Sequence, residues 1–159
     1  MISLGGCPEV KDPLDEKLEQ EISEHQLRPL EKPAKQRAAK IELGRTLFFD
    51  RILSGNRDVS CATCHHPSNH TADNRELAAG VGGEGLGPDR VLAAGRKLTP
   101  RNAPSLFNAG DSAWKTRFWD GRIELFESGE IRTPAAGSLP AGLDNIAAVQ
   151  AMFPATNRD

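Results

Sequence analysis

The sequence predicts an all-α fold with long loops. Apolar residues recur at three- and four-residue spacing in several separate segments, and no stretch reads as a strand of real length. The 159 residues fall within the roughly 100 to 200 expected of a single domain. We therefore expect one compact unit.

The first predicted helix begins at Pro13, because proline is favoured at the first position of a helix. Apolar residues then recur every four positions, at Leu14, Leu18 and Ile22. Pro29 interrupts this pattern. We therefore expect residues 1–33 to form an N-terminal tether or extension and residues 34–159 to form the compact domain.

Three further helices are predicted in the compact domain. An apolar stripe predicts the first over residues 34–49, and Ser60 is a candidate N-cap for a short helix that begins at Cys61. Asp144 is a candidate N-cap for the last helix, which Pro154 is expected to end.

The glycine-rich run GVGGEG at residues 80–85 formally matches the G-x-G-x-x-G fingerprint of dinucleotide-binding folds. No β-branched strand precedes it, and Gly87 and Pro88 follow where a helix would have to begin. We therefore interpret the run as a flexible surface loop and predict no dinucleotide site.

Composition excludes two classes of partner. With 20 Lys plus Arg against 22 Asp plus Glu, the formal net charge is −2, and the sequence has no basic stripe that would bind nucleic acid. The uncharged run at residues 145–157 is too short and too polar to cross a bilayer.

The N-terminal segment lacks the charged and apolar regions of an intact secretory signal peptide. The run LGGC, which ends at Cys7, resembles a bacterial lipobox, in which the cysteine becomes lipidated. We therefore expect membrane contact only through a lipid anchor at Cys7. The alternative is an N-terminal cysteine without such a role.

Residues 61–65 read Cys-Ala-Thr-Cys-His, which is the C-x-x-C-H attachment sequence of c-type haem. Cysteines three positions apart on a helical turn can form thioethers to the two vinyl groups of one porphyrin. Cys61 and Cys64 are therefore the candidate attachment residues, and His65 is the candidate iron ligand. Two alternatives remain open, a zinc site completed by His66 and His70 and a redox dithiol.

Five blocks, one of which contains this motif, occur in the same order as in a known family. The blocks are LGRTLFFD at 43–50, LS at 53–54, SCATCH at 60–65, RNAPSLFN at 101–108 and FWDGR at 118–122. In these blocks the sequence resembles the bacterial di-haem cytochrome c peroxidases and their MauG-like relatives. The resemblance implies an all-α cytochrome c-like haem domain with long loops, which carries one covalent haem c per chain.

In that family the N-terminal haem reacts with hydrogen peroxide, and a second haem domain receives electrons from a redox donor protein. The resemblance therefore implies a cytochrome c peroxidase-like oxidoreductase whose partners are peroxide and a donor protein or second haem domain. Because the sequence has no second C-x-x-C-H, three alternatives stay open: a fragment, a second haem on another chain, or a one-haem derivative. Thioether-bound haem is normally matured outside the cytoplasmic membrane, which predicts a periplasmic protein.

The resemblance also assigns further site residues. Trp119 resembles the tryptophan that relays electrons between the family's two haems, and the alternative is a structural aromatic packed by Phe118. Gln150 and Pro154 resemble a run on the peroxide-binding side, and the alternative is an ordinary glutamine and proline at a helix end. Asn102 resembles a ligand of the calcium ion between the two domains, whose other ligands would come from the second domain.

A one-haem electron-transfer cytochrome is the alternative function. In that case His65 and Met152 would be the two axial ligands, a pair that raises the haem potential. A zinc-dependent or purely structural module is a third alternative, and it requires that haem be absent. Some members of the family that the sequence resembles carry a histidine in the glycine-rich loop, where it fills the sixth position of the iron. The loop at residues 80–88 contains no histidine. By this resemblance we expect an open iron, as in the MauG-like branch.

Overall fold

The computed structural model describes residues 12–156, and contacts along the chain divide it after Lys32 into two units. In the first unit, helix α1 (Pro13–Glu24) begins as predicted, because Asp12 accepts a hydrogen bond from the Leu14 N–H (2.8 Å). Its apolar stripe is exposed. No helix within residues 12–156 is long and apolar enough to cross a bilayer.

The second unit, as described over residues 33–156, combines three helices with five short strands. The helices are α2 (Ala38–Phe49), α3 (Cys61–Cys64) and α4 (Ile146–Thr156). The strands are β1 (Gly83–Glu84), β2 (Val91–Leu92), β3 (Thr116–Arg117), β4 (Ile123–Leu125) and β5 (Ile131–Arg132). They form two antiparallel sheets, one that pairs β1 with β2 and one in the order β3-β4-β5.

The prediction of an all-α fold is wrong, because the described residues combine helices with two antiparallel sheets. Each strand has only two or three residues, which is too short for the apolar and polar alternation that reveals a strand in a sequence. Tight turns define the second sheet instead. Phe118, Gly121 and Gly129 have φ angles of +61°, +65° and +85° in these turns.

The apolar core of the second unit lies between α4 and the β3-β4-β5 sheet. Ile123 of β4 is fully buried, and it packs with Ile146 and Val149 of α4. Phe118 and Phe153 add an edge-to-face ring pair, with centroids 5.2 Å apart. This packing fixes the turn between β3 and β4 against α4.

The glycine-rich run at residues 80–85 belongs to the β1-β2 hairpin rather than to a structureless loop. Arg90 is almost fully buried, at 5% exposure. Its guanidinium donates hydrogen bonds to the carbonyls of Ala79 (2.6 Å), Gly80 (2.9 Å) and Gly85 (2.8 Å). One side chain therefore ties both ends of the run together. The 3-10 turn Gly87–Asp89 follows instead of an α-helix, so the dinucleotide fingerprint lacks its structural context.

Candidate haem attachment site

Helix α3 presents the two cysteines of the C-x-x-C-H motif. Ser60 precedes the helix as predicted, and its backbone N–H donates to Thr63 Oγ1 (2.9 Å) in a capping box. Thr63 is buried, whereas Cys61 is exposed and Cys64 is half-buried. Both thiols are free and lie on the same helix face, because three positions separate them. This arrangement suits the attachment of one ligand at two points.

The Cys64 thiol is partly shielded from solvent. Burial raises the pKa of this thiol above its usual value, and the positive charge of Arg90 acts in the opposite direction. Cys7, the candidate lipid anchor, lies outside the described residues.

His65 follows α3 directly, and its backbone N–H donates to the Cys61 carbonyl (2.9 Å). The ring nitrogen Nδ1 lies 2.9 Å from the carbonyl oxygen of Thr71. A carbonyl oxygen only accepts hydrogen bonds, so Nδ1 carries the proton and Nε2 keeps its lone pair. A second hydrogen bond of this kind orients the histidines that bind metals in proteins. The contact thus leaves Nε2 as the ring nitrogen of His65 that is available to a metal ion.

The residues around α3 fit a large apolar cofactor. From the motif to residue 103, the buried apolar side chains are all small: Ala62, Ala78, Ala79 and Ala103. Large apolar side chains of α2, which packs against α3, and of the turn after it are exposed instead: Ile41, Leu43, Phe49, Ile52 and Leu53. A porphyrin would bury apolar surface of this kind, so the residues present fit haem c.

His66 and His70 do not join the two cysteines in a zinc site. Nδ1 of His66 lies 2.6 Å from the Ser68 hydroxyl and accepts the Ser68 backbone N–H (3.2 Å), which caps the 3-10 turn Pro67–Asn69. His70 is exposed, with a φ of +54°. Within residues 12–156, no group of three His, Cys, Asp or Glu side chains is arranged to hold a metal ion. The structure therefore lends the zinc alternative no support.

The segment at residues 101–108 runs beside the loop that follows the C-x-x-C-H motif. Three of the hydrogen bonds that hold it there are donated by backbone N–H groups: Ala78 N–H to the Arg101 carbonyl (3.1 Å), Ala103 N–H to Asp73 Oδ1 (3.3 Å) and Leu106 N–H to Thr71 Oγ1 (2.8 Å). Asp73 is buried, so it makes this contact inside the fold. The segment is thereby fixed relative to Thr71, whose carbonyl holds His65.

Trp119 lies in the turn between β3 and β4, and its side chain is 68% exposed. The preceding Phe118 packs on Phe153 of α4, so the turn is anchored by one aromatic residue and exposes the next. The guanidinium of Arg101 stacks on the exposed indole, 3.7 Å from the ring centroid. The segment at 101–108 therefore contacts Trp119 at one end and the His65 loop further along.

Gln150 and Pro154 lie four residues apart on α4, and so on one face of that helix. Gln150 is half-buried and Pro154 is exposed. The helix continues past Pro154 to Thr156, so the prediction that Pro154 ends it is wrong. Pro154 has no N–H to donate to the Gln150 carbonyl, the acceptor four residues earlier. No hydrogen bond found among the described residues joins either residue to the C-x-x-C-H motif.

Sequence reasoning assigned no role to Thr71, Arg101 or Ser105, although these residues connect the motif to Trp119. Arg101 and Ser105 lie in the RNAPSLFN block, where only Asn102, an exposed residue, was singled out. The RNAPSLFN block was itself the sequence signal that could have pointed to Arg101 and Ser105. Thr71 gave no signal, because its role depends on a contact with residues more than thirty positions away.

Curated proteins of known name resemble part of this chain. The chain is 40% identical over 96 residues to the methylamine utilization protein MauG of Methylorubrum extorquens, in a match that covers 60% of the chain and 22% of that protein. It is 39% identical over 95 residues to the cytochrome-c peroxidase IdrP2 of Denitromonas iodatirespirans, with 59% and 22% covered. It is 31% identical over 118 residues to the cytochrome c551 peroxidase of Pseudomonas aeruginosa, with 65% and 30% covered. The chain thus spans less than a third of the length of these relatives.

The sequence model that describes di-haem cytochrome c peroxidases matches residues 38–159, well over half of the chain. The matched part includes the C-x-x-C-H motif, the segment at 101–108 and Trp119. The haem c implied by this family agrees with the residues that α3 presents. The chain therefore belongs to the di-haem cytochrome c peroxidase family.

Proposed function

We propose that the chain is the peroxide-reacting haem c domain of a cytochrome c peroxidase-like oxidoreductase. The observation that carries this proposal is the contact between His65 Nδ1 and the Thr71 carbonyl (2.9 Å), directly after the helix that presents the two cysteines. It leaves Nε2 as the nitrogen available to iron, which is what an axial histidine requires. The peroxidases among the relatives support peroxide as the substrate.

Cys61 and Cys64 hold the haem in this proposal. Each thiol adds its sulfur and its hydrogen across one vinyl group, so two thioethers form and no atom is lost. His65 binds the iron through Nε2, and the Thr71 carbonyl keeps the ring from rotating. When bound, haem c supplies a redox-active iron at which hydrogen peroxide, two electrons and two protons give two molecules of water.

Trp119 is the proposed entry point for electrons from a second haem domain or a donor protein. Its exposed indole and its contact with Arg101, in the segment fixed beside the His65 loop, support this role. We assign Gln150 and Pro154 to the side of the haem where peroxide binds, and the support is the resemblance of their run to the family. The second haem and the other ligands of any calcium ion at Asn102 are proposed to lie outside this chain.

We propose a periplasmic location, because thioether-bound haem is normally completed outside the cytoplasmic membrane. A lipid anchor at Cys7 would tether the protein to that membrane. Globomycin, which blocks lipoprotein signal peptidases, tests the anchor: it should leave a longer, membrane-associated precursor. An unchanged protein found entirely in the soluble periplasmic fraction would contradict the anchor without affecting the haem assignment.

The function is tested on protein matured with haem by recording ferric, reduced and carbon monoxide-treated reduced spectra. We expect covalent haem c that resists acid–acetone extraction, a high-spin ferric spectrum and ready binding of carbon monoxide. Loss of both thiols in Cys61→Ser/Cys64→Ser should abolish covalent attachment. Haem that extracts freely from the parent protein would overturn the attachment sites.

His65→Gly and His66→Gly form a matched pair for the iron ligand. Both remove an imidazole from adjacent positions, but only His65 makes the Nδ1 contact with Thr71. We expect His65→Gly to abolish peroxide turnover even where haem remains attached, and His66→Gly to preserve it. Unchanged peroxide consumption in His65→Gly would rule out His65 as the ligand.

A further inference from the structure

The loop that follows His65 and brings the Thr71 carbonyl back to its imidazole has a strained backbone. His70 and Thr71 have φ angles of +54° and +58°, consecutive left-handed conformations that L-residues rarely adopt. For Thr71 the conformation is unfavourable because its β-branched side chain crowds the backbone. The carbonyl that contacts His65 Nδ1 belongs to this same strained residue. Other contacts must therefore hold Thr71 in place.

A local hydrogen bond from the Thr71 N–H to the His66 carbonyl (3.1 Å) is one of them, and the others come from Ser105 and Leu106, more than thirty residues away in the sequence. Ser105 Oγ lies 2.8 Å from the His70 carbonyl and 3.1 Å from Thr71 Oγ1, and Thr71 Oγ1 lies 2.6 Å from the same carbonyl. The hydroxyl hydrogens of Thr71 and Ser105 are thus shared among three neighbouring oxygens, the two hydroxyl oxygens and the His70 carbonyl oxygen. The Leu106 N–H donates a further hydrogen bond to Thr71 Oγ1 (2.8 Å). We call Thr71, Ser105 and the Leu106 N–H the clasp.

We propose that the clasp is a positioning device for the axial histidine, in which the Thr71 and Ser105 hydroxyls hold the Thr71 carbonyl against His65 Nδ1. The inference rests on the proposed attachment of haem at Cys61, Cys64 and His65. Neither hydroxyl contacts the imidazole, so both act through the backbone of residues 70 and 71. The clasp also explains why the RNAPSLFN block lies beside the motif: it supplies Ser105 and Leu106.

The clasp has a predictable effect on the iron. A hydrogen bond from Nδ1–H to a carbonyl makes the imidazole a stronger electron donor through Nε2. Stronger donation stabilises the oxidised iron, and so lowers the reduction potential and strengthens the iron–histidine bond. Release of the clasp should therefore raise the potential and lower the iron–histidine stretching frequency.

The test compares Ser105→Ala and Thr71→Val with Ser68→Ala in protein matured with haem. Ser68 is the matched control, because its hydroxyl lies 2.6 Å from Nδ1 of His66, which is not the proposed ligand. Spectroelectrochemical titration should show a higher potential for both clasp variants, and resonance Raman spectra of the ferrous protein should show a lower stretching frequency. Ser68→Ala should match the parent protein in both measurements. Thr71→Ser, which keeps the hydroxyl, should restore parental values.

Two results would overturn the inference in different ways. If haem is attached but the clasp variants match the parent protein in both measurements, the clasp has no effect on the ligand and the proposed function stands. If Thr71→Ser shifts as far as Thr71→Val, the hydroxyl is not the acting group. Absence of covalent haem from the parent protein would instead overturn the proposed function itself, and the clasp with it.

Discussion

The guanidinium of Arg101 lies 3.7 Å from the centroid of the Trp119 indole, although both residues are exposed. A cation over the face of an indole stabilises the neutral ring and opposes the loss of an electron from it. The stack also limits the motion of a side chain that would otherwise be free in solvent. Arg101 therefore affects both the position of Trp119 and the ease with which it is oxidised.

Trp119→Phe should slow electron delivery to the haem while leaving the ferric and reduced spectra unchanged. Phenylalanine keeps an aromatic ring in the turn but is much harder to oxidise than indole. We expect a fall of about tenfold in steady-state peroxide reduction, which corresponds to ~1.4 kcal/mol of barrier. The measurement uses the haem-loaded protein with its second haem domain or a reduced donor protein.

The matched control for Trp119 is Trp114→Phe. Trp114 is also exposed and also lies near an arginine, but Arg117 is 5.6 Å from its ring centroid and the residue is outside the FWDGR turn. We expect this variant to keep the parental rate. Equal rates in the parent protein and Trp119→Phe would contradict the relay, and equal losses in both variants would indicate a general effect of removing indole.

The start of helix α3 was predicted correctly, because local chemistry fixes it. The N-cap preference of serine places this start at Cys61. The attachment of haem at Cys61, Cys64 and His65 stays a prediction. Helix α2 begins at Ala38 rather than at residue 34, because residue Arg37 is still extended, with φ −65° and ψ 135°. An apolar stripe alone does not mark where a helix begins.

The parts that were missed depend on contacts between distant residues. Strands of two or three residues form because tight turns bring them beside a partner strand. The sequences of β3 and β4 are therefore too short to show a recognisable alternation of apolar and polar residues. The contact of Thr71 with Ser105 joins residues 34 positions apart, and the sequence around each residue does not indicate it. The burial of Arg90 was equally hidden, since an arginine that follows a glycine-rich run normally indicates a surface loop.

Arg90 should be critical for the stability of the β1-β2 hairpin. Its guanidinium supplies three carbonyls, and Arg90→Lys offers one nitrogen that cannot reach all of them. One of these carbonyls is buried and two are partly buried, and leaving them without a donor should cost roughly 2–4 kcal/mol in the free energy of unfolding. Urea denaturation of the haem-loaded protein, followed by circular dichroism, measures this loss. The control is Arg96→Lys, at an exposed position in the segment after β2, which should change the free energy of unfolding by less than about 0.5 kcal/mol. Equal losses in both variants would contradict the role of Arg90.

Met152→Ala separates the peroxidase proposal from the electron-transfer alternative. Met152 is half-buried on α4, and only the alternative makes it an iron ligand. If the iron is open, the variant should keep the parental spin state and carbon monoxide affinity, with a loss of stability as its main effect. The measurement is the ferric spectrum before and after the substitution. A parent spectrum that is low-spin and becomes high-spin in Met152→Ala would establish methionine ligation and favour the carrier.

The pair of Asp120 and Arg122, beside Trp119, should contribute stability only above acidic pH. The Arg122 guanidinium donates to both carboxylate oxygens (2.9, 2.9 and 2.6 Å), and this hydrogen bonding lowers the pKa of Asp120 below its ordinary value. A carboxyl whose pKa is lower in the folded state stabilises the fold above its unfolded pKa of about 3.9. That contribution disappears as the pH falls through the folded pKa.

Asp120→Asn should therefore lower the melting temperature slightly at pH 7 and leave it equal to that of the parent protein near pH 2. The effect is small because both side chains are in contact with solvent, and high salt should reduce it further. Melting curves at several pH values, with and without added salt, measure the difference. Glu127→Gln, a change at another exposed carboxylate between β4 and β5, is the control. A difference that persists at pH 2, or one that Glu127→Gln reproduces, would show that the ion pair is not its source.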